Sequence, residues 1–461
     1  MNALEIQTLY AKQKDYFASG ITRSYTFRRK QLILLKSIIQ QNETAILEAL
    51  AKDMSKPHFE SFISEIGFVY EEINVTLKHL KKWMRPEAVA TPMPLQVSSS
   101  YIRKEPLGLT LIIGPWNYPF QLIMAPLIGA IAGGNCAILK PSEFTPYTSN
   151  LIEKLIKENF DDAYISVIQG DGKEIGEQLI VNYPFGLIFF TGSTKVGQEI
   201  QVLAAKQMSK LVLELGGKSP AIVDSNVQLD LCAKQLVWAK FFNAGQTCVS
   251  PDYILVHESM QNELKQKLIF YIQQFYGKNA AASNDYARII NTRQFDRLSS
   301  YLKDVNIIYG GGTNRDQKYI EPTLIEEIPL DHPVLTEEIF GPILPILVYK
   351  NQEDLLELMN KNPNPLSAYI FTNDSKFEKK ILDSFLSGGV CINNLMVHLA
   401  NPNLPFGGVG KSGMGAYHGK YSFDVFTHQR AVLKTSTWID IPLRYPPFSS
   451  LKMKIAKWFF K

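Results

Sequence analysis

The sequence predicts an α/β protein built on mostly parallel sheets, and three observations carry that prediction. Short runs of Ile, Val, Leu and Phe alternate with amphipathic stretches of helix length from about residue 106 onward. Strands separated by helices of that length imply right-handed crossovers and a sheet covered on both faces. A second series of the same kind begins at Tyr253, which predicts a second α/β unit. The length of 461 residues allows about three domains. With 46% hydrophobic and 20% charged residues, the balance is that of an ordinary globular chain.

The first segment, MNALEIQTLYAKQKDYF, interrupts its apolar residues with Glu5, Lys12, Lys14 and Asp15, so it lacks the unbroken apolar stretch of a secretory signal. From Thr22 to Lys82, apolar residues such as Leu32, Leu35, Ile38 and Ile39 recur at helical spacing, and long helices are expected there. The three prolines of PEAVATPMPL (Pro86 to Leu95) exclude a helix interior and mark a chain crossing between layers. Residues 106 to 139 carry no charged side chain and exceed the length of a membrane-spanning helix. Pro115, Asn117, Pro119, Pro126, Gly133 and Gly134 nevertheless divide them into a strand (Leu109 to Ile113), a turn and a helix (Gln121 to Ala132). That pattern suits a buried parallel-sheet unit rather than lipid.

The first series of strands comprises LTLIIG, CAILK, ISVIQG, GLIFF, KLVLEL and AIVD. The second comprises YILVH (253–257), PILPILVY (342–349), AYIF (368–371) and GGVCINN (388–394). GGGTNRDQ (310–317) reads as an exposed turn. After Asp440 there is no acidic residue, while Arg444, Lys452, Lys454, Lys457 and Lys461 are basic and Trp458, Phe459 and Phe460 lie close to the end. This basic-aromatic tail (441–461) is too short to span a membrane. Packing against the body or a partner subunit is expected, with weak contact to a membrane surface as the alternative.

A net charge of +4 demands no nucleic-acid partner. Cys136, Cys232, Cys248 and Cys391 form no Cys-x-x-Cys pair in a chain too large to need disulfides. A reducing, cytoplasmic setting is expected, and no metal site.

Cys248 lies in FFNAGQTCVSP, where a helical run ends near Asn243 and a Gly-bearing turn presents the thiol before the strand at Tyr253. A buried cysteine is commonly an inert small hydrophobe, and Cys136, Cys232 and Cys391, inside apolar strand or helix patterns, read that way. Cys248, flanked by Gln246, Thr247 and Ser250, reads as a nucleophile. Glu214 in KLVLELGGKSP is a carboxylate inside an apolar strand, placed as a general base whose pKa burial would raise. Its bland alternative is a salt bridge with Lys218 or another basic residue. Asn117 in GPWNYPF stands on a strand-to-helix turn, where its amide either caps backbone or donates to an oxyanion. FTGSTKVG (190–197) follows a strand and opens a helix, so its backbone N–H groups suit a pyrophosphate, although it lacks the Gly-x-Gly-x-x-Gly spacing. LPFGGVGKSG is no phosphate loop, because Pro405 occupies the position of the first glycine and no strand precedes it.

Taken in order, GPWNYPF, ILKPSE, FTGSTKVG, LELGGKSP, FFNAGQTC, EEIFGPI and PFGGVGKSGMG resemble the motifs of the aldehyde dehydrogenase superfamily over residues 105 to about 430. The ending AYHGKYSFDVFTHQRAVL through WIDIPLRYPP is similar to the class 3 branch, which includes fatty and aromatic aldehyde dehydrogenases. The resemblance implies a fold of a Rossmann-type cofactor domain (1–84 and 106–211), an α/β catalytic domain (212–418) and a small β bridging element (85–105 and 419–440) used in oligomerisation. It implies a homodimer, because this class lacks the longer N-terminal arm associated with tetramers. It also implies that Cys248 attacks an aldehyde, that Asn117 and the Cys248 N–H hold the oxyanion, and that Glu214 activates the water that hydrolyses the thioester.

By the same likeness Lys140 and Glu143 hold the adenosine ribose, Gly192 and Ser193 the pyrophosphate, and Glu338 and Phe340 the nicotinamide ribose. Glu143 would repel a 2′-phosphate and favours NAD, while Lys140 partly neutralises such a phosphate, so acceptance of NADP as well is expected. Tyr118 and His418 correspond to positions near the aldehyde channel. Two rival readings stand beside this one. A thiol esterase or acyltransferase would use Cys248 without redox chemistry, and a silent scaffold would use none of the three residues.

Overall fold

The computed structural model describes residues 2–329 and 331–460. The chain opens in helices, as the periodicity predicts. Ala3–Ala18 begins with a reciprocal capping box between Asn2 and Glu5, and Tyr25–Gln41, Glu43–Met54 and Gly67–Trp83 follow. Leu32, Leu35, Ile38 and Ile39 line one face of the second of these and are buried in the core.

Between the third and fourth helices, Lys56 and Glu65 form a salt bridge of 2.9 Å whose two side chains have no exposure. Replacing Lys56 with Met should cost about 3–5 kcal/mol, because it strands the Glu65 carboxylate in a dry site without its cation. Urea unfolding of the variant beside wild type measures this, and an unchanged midpoint would count against the ion pair as a support.

Six strands form the first sheet, in the order Gly413–Met414, Lys210–Glu214, Leu187–Thr191, Leu109–Ile113, Cys136–Lys140 and Ile165–Val167. All neighbours are parallel except the pairing with Gly413–Met414. Leu109–Ile113, Cys136–Lys140 and the helix Gln121–Gly133 between them are buried along their whole length. The uncharged stretch of residues 106–139 is therefore core, and among the described residues no helix is long and apolar enough to cross a membrane. The chain steps outward from Leu109–Ile113 and then returns to that strand's other side at Leu187–Thr191. Reversal of strand order at this point opens a crevice at the carboxyl ends of the two strands.

The second sheet has seven strands, in the order Asn306–Tyr309, Thr323–Glu326, Ile343–Tyr349, Tyr253–His257, Pro220–Val223, Ser367–Phe371 and Gly389–Ile392. Only the Asn306–Tyr309 edge is antiparallel. AIVD, expected in the first series, lies here instead: Pro220–Val223 pairs with Tyr253–His257 and Ser367–Phe371. Gly216 and Gly217 interrupt the apolar run before it, so the chain leaves the first sheet at Glu214. The division expected at residue 212 thus falls inside a strand of the first sheet.

Glu87–Val89, Ser98–Pro106 and Thr427–Thr435 form a third, antiparallel sheet with Ser98–Pro106 in the middle. It unites the two segments expected to bridge; its two outer strands are largely exposed and the middle one is half-buried. The expected turn at 310–317 carries a two-residue strand, Thr313–Asn314, paired with Tyr319–Ile320. The tail forms the helix Ser450–Phe460, of which no residue is buried, so within one chain it does not pack against the body as expected.

Candidate active site

A left-handed turn delivers Cys248. The helix Leu229–Phe241 ends, and Asn243, Ala244 and Gly245 follow with φ of +52°, +51° and +75°. Asn tolerates this region better than most residues. Gly245 is required on a second ground, since a Cβ there would stand 2.3 Å from the Gly341 carbonyl oxygen. Cys248 emerges half-buried, at the meeting of two cavities. One, of about 210 Å³, is walled by apolar groups that include Phe68, Leu122, Trp238, Phe242 and Phe406. The other, of about 580 Å³, opens at the crevice of the first sheet and brings together Asn117, Gly192, Ser193, Glu214, Glu338 and Phe340.

Asn117 sits on the turn after Leu109–Ile113. Its Nδ2 donates to the Gln246 carbonyl at 3.0 Å, and its own carbonyl accepts from Asn243 Nδ2 at 2.9 Å. Asn117 and the turn that carries Cys248 are thereby tied together, with one Asn117 amide proton left uncommitted.

Glu214 ends the strand Lys210–Glu214, is 2% exposed, and has no hydrogen-bond partner on either carboxylate oxygen. Lys218, the bland alternative partner, is engaged elsewhere: its Nζ pairs with Asp252 and donates to the Val334 and Glu337 carbonyls at 2.8 and 2.9 Å. Burial alone holds the Glu214 carboxyl well above the usual carboxylate range.

The segment EEIFGPI is braced from outside. Arg297 donates to the Ile339 and Glu338 carbonyls at 2.7 and 3.3 Å. Asp252 accepts from the Ile339 N–H at 3.0 Å. Glu338 is pushed up to about 8 by burial and by Asp252, against the pull of the Gly217 N–H, Lys218 and Arg297. Gly216 leaves room for it, since a Cβ there would come within 2.2 Å of the Glu338 carboxylate and displace that side chain. Phe340 meets Trp116 edge to face, with ring centroids 5.3 Å apart.

Burial, with Glu338 and Glu214 adding to it, pushes the Cys248 thiol up to about 12, against the pull of the Cys248 and Val249 N–H groups. In the protein without cofactor, alkylation of Cys248 by iodoacetamide should therefore climb about tenfold per pH unit from pH 7 to 10. A plateau near neutrality, measured by mass spectrometry of the Cys248 peptide, would contradict this.

Lys140 and Glu143 form an ion pair of 2.7 Å at the end of Cys136–Lys140, and Glu143 also accepts from the Gly172 N–H at 3.0 Å. They stand on the carboxyl edge of the same sheet, outside the lining of the larger cavity. Tyr118 and His418 line the apolar cavity. The Tyr118 hydroxyl lies 2.6 Å from Thr247 Oγ1. His418 stacks on Phe406, with centroids 5.1 Å apart. Burial lowers its imidazole to about 3, so the ring is neutral at physiological pH.

Residues 3–432 match the model of the aldehyde dehydrogenase family. The chain belongs to that family. It is 45% identical over 463 residues to the 4,4'-diaponeurosporen-aldehyde dehydrogenase of Staphylococcus aureus, with 100% of each chain covered. It is 42% identical to the rat aldehyde dehydrogenase described as dimeric and NADP-preferring, covering 95% of this chain and 96% of that one. Among solved structures, the substrate-bound state of Staphylococcus aureus AldH superposes with a TM-score of 0.97 at 44% identity, covering 100% of both chains. As an aldehyde dehydrogenase the chain is an oxidoreductase acting on aldehydes, in a family that uses NAD(P).

The larger cavity fits such a cofactor. Ser193 caps the helix Thr194–Lys206, whose N-terminus faces the cavity and suits a pyrophosphate. The buried Thr191 hydroxyl and the Glu214 carboxyl lack partners there, and the Glu338 carboxyl lines the same cavity. Sequence reading missed the aldehyde dehydrogenase's supporting residues, chiefly Asn243, Thr247, Arg297 and the Lys218–Asp252 pair. Asn243 and Thr247 stood inside a motif already singled out, whereas Arg297 on the amphipathic helix Thr292–Ser300 carried no signal.

Proposed function

We propose that this aldehyde dehydrogenase oxidises medium- or long-chain aliphatic or aromatic aldehydes to carboxylic acids through a thioester on Cys248. The observation that carries the proposal is the location of Cys248 between an apolar cavity and a polar one that also holds Asn117 and Glu214. The apolar cavity receives the aldehyde, with Tyr118 and His418 on its wall. Cys248 gives its proton to solvent water and its sulfur bonds to the carbonyl carbon, giving a thiohemiacetal whose oxyanion is held by the Asn117 amide and the Cys248 N–H. NAD(P), when bound in the polar cavity, supplies the two-electron acceptor that makes the thioester. Glu214 then takes a proton from water, whose oxygen attacks the acyl carbon, and Cys248 leaves as thiolate.

In this reading Gly192 and Ser193 hold the pyrophosphate, Glu338 and Phe340 the nicotinamide ribose, and Lys140 and Glu143 the adenosine ribose. Glu143 favours NAD, with NADP also accepted. The first sheet and its helices form the cofactor domain and the second sheet the catalytic domain. The three-stranded sheet serves a cytoplasmic homodimer, with the exposed tail helix turned to the partner subunit. Support for the redox reading over a thiol esterase comes from the polar cavity beside Cys248. The test follows NADH and NADPH formation with aldehydes from short to long chain and one aromatic. A rate rising with chain length, larger with NAD, is expected, while no reduction of either cofactor by folded protein would leave the esterase reading.

A further inference from the structure

A group of buried charges lies behind the active site, and the mechanism above does not use it. Lys56, Glu60 and Glu65 come from the short stretch joining two N-terminal helices, and all three are buried. Glu65 accepts from the Phe120 and Gln121 N–H groups, each at 3.0 Å, just after the Asn117 turn. Glu60 reaches the other catalytic loop, where its Oε1 accepts from the backbone N–H of Asn243. Asn243 is the first of the three left-handed residues that lead to Cys248. Its side chain donates to the Asn117 and Gln246 carbonyls at 2.9 and 3.2 Å. A run of left-handed residues persists only where its surroundings hold it. Among the described residues, Glu60 is the one charged side chain hydrogen-bonded to this run.

We propose that Glu60 is a positioning residue for the Cys248 turn, acting through the Asn243 N–H, and that its charge state sets how firmly the turn is held. The inference rests on Cys248 being the nucleophile. An ionised carboxylate is a markedly stronger acceptor than a neutral one. Burial raises the Glu60 carboxyl to about 7, with Glu65 and Asp285 adding to the rise and Lys56 and the Asn243 N–H opposing it. The Tyr118 and Tyr276 hydroxyls also lie within its field, and both stay protonated because burial raises them further. Glu60 is therefore the group hydrogen-bonded to this turn that changes charge near neutrality; Lys240, on the helix that leads into the turn, is lowered to about 8 by burial, and Glu338, which acts on the Cys248 thiol, is raised to about 8. The hold tightens as pH rises through the Glu60 value and slackens as it falls.

Glu60→Gln tests this, because the amide keeps an acceptor oxygen for the Asn243 N–H and loses only the titration. Hydrogen exchange of the peptide spanning Asn243 to Cys248 is measured in both proteins from pH 6 to 8. The ratio of the two rates cancels the intrinsic pH dependence of exchange. Protection in wild type should exceed that in the variant about tenfold at pH 8 and converge with it at pH 6. The pre-steady-state burst of NADH should show the same sigmoid in its ratio, with its midpoint near 7. A flat exchange ratio across the range, or a burst ratio that stays constant from pH 6 to 8, would overturn the proposal. The exchange readout needs no aldehyde, so failure of the dehydrogenase reading would show separately, as absence of any burst in wild type.

Discussion

Cys248→Ser should lower aldehyde oxidation by about 10⁴-fold or more while leaving the fold intact. The substitution is nearly isosteric at a half-buried position, so thermal stability should stay close to wild type. Chemistry accounts for the size of the effect. The environment that pushes the thiol up to about 12 acts on a serine hydroxyl from a far higher starting point. Among the described residues, two imidazoles on this side of the protein are weak bases: burial lowers His418, on the apolar wall, to about 3, and His398, lowered to about 4, lies against Cys391 at 3.1 Å. The measurement pairs steady-state NAD(P)H formation with mass spectrometry of the protein after a single addition of aldehyde. Wild type should carry an acyl adduct on the Cys248 peptide and the variant none. Activity in the variant within tenfold of wild type would reassign the nucleophile, with Cys391 the next cysteine to examine.

Much of this site is legible in the sequence, because its residues break the local pattern around them. Glu214 stands out as a carboxylate ending an apolar strand, and the structure leaves it without a hydrogen-bond partner. Cys248 stands out as a thiol on a turn, and Asn117 as a polar residue within an uncharged stretch. The strand series was legible for the same reason, since buried parallel strands read as continuous apolar runs. AIVD went to the wrong sheet because an apolar run of four residues states that it is buried and says nothing of its neighbours; that depended on the glycines that let the chain leave after Glu214. Lys56, Glu60 and Glu65 were illegible for the opposite reason. Charges in a helical stretch normally face solvent, and only the folded chain shows them buried against Phe120, Gln121 and Asn243. Arg297 is hidden likewise, because it acts on backbone carbonyls that no side-chain pattern marks.

Glu214→Gln should stop turnover after one acyl group has formed. In the proposed mechanism acylation uses the Cys248 sulfur and the Asn117 amide, neither of which the variant alters, so a burst of NADH near one per active site is expected. Deacylation needs a group that accepts a proton from water, and a carboxamide accepts none; loss of a general base costs about 10²–10⁴-fold. The thioester should then persist long enough to be seen as an added acyl mass on Cys248, and hydroxylamine should release it. The pH dependence in wild type carries the same logic. Burial holds the Glu214 carboxyl well above the usual carboxylate range, and the base must be ionised to act. The deacylation rate should accordingly fall as pH drops through that raised value, at a pH higher than an exposed glutamate would give, and the residual rate in Glu214→Gln should lose this limb. Steady turnover in the variant at the wild-type rate, with no adduct trapped, would assign the base to another group, and Glu338, raised to about 8 in the same cavity, is the carboxylate to test next.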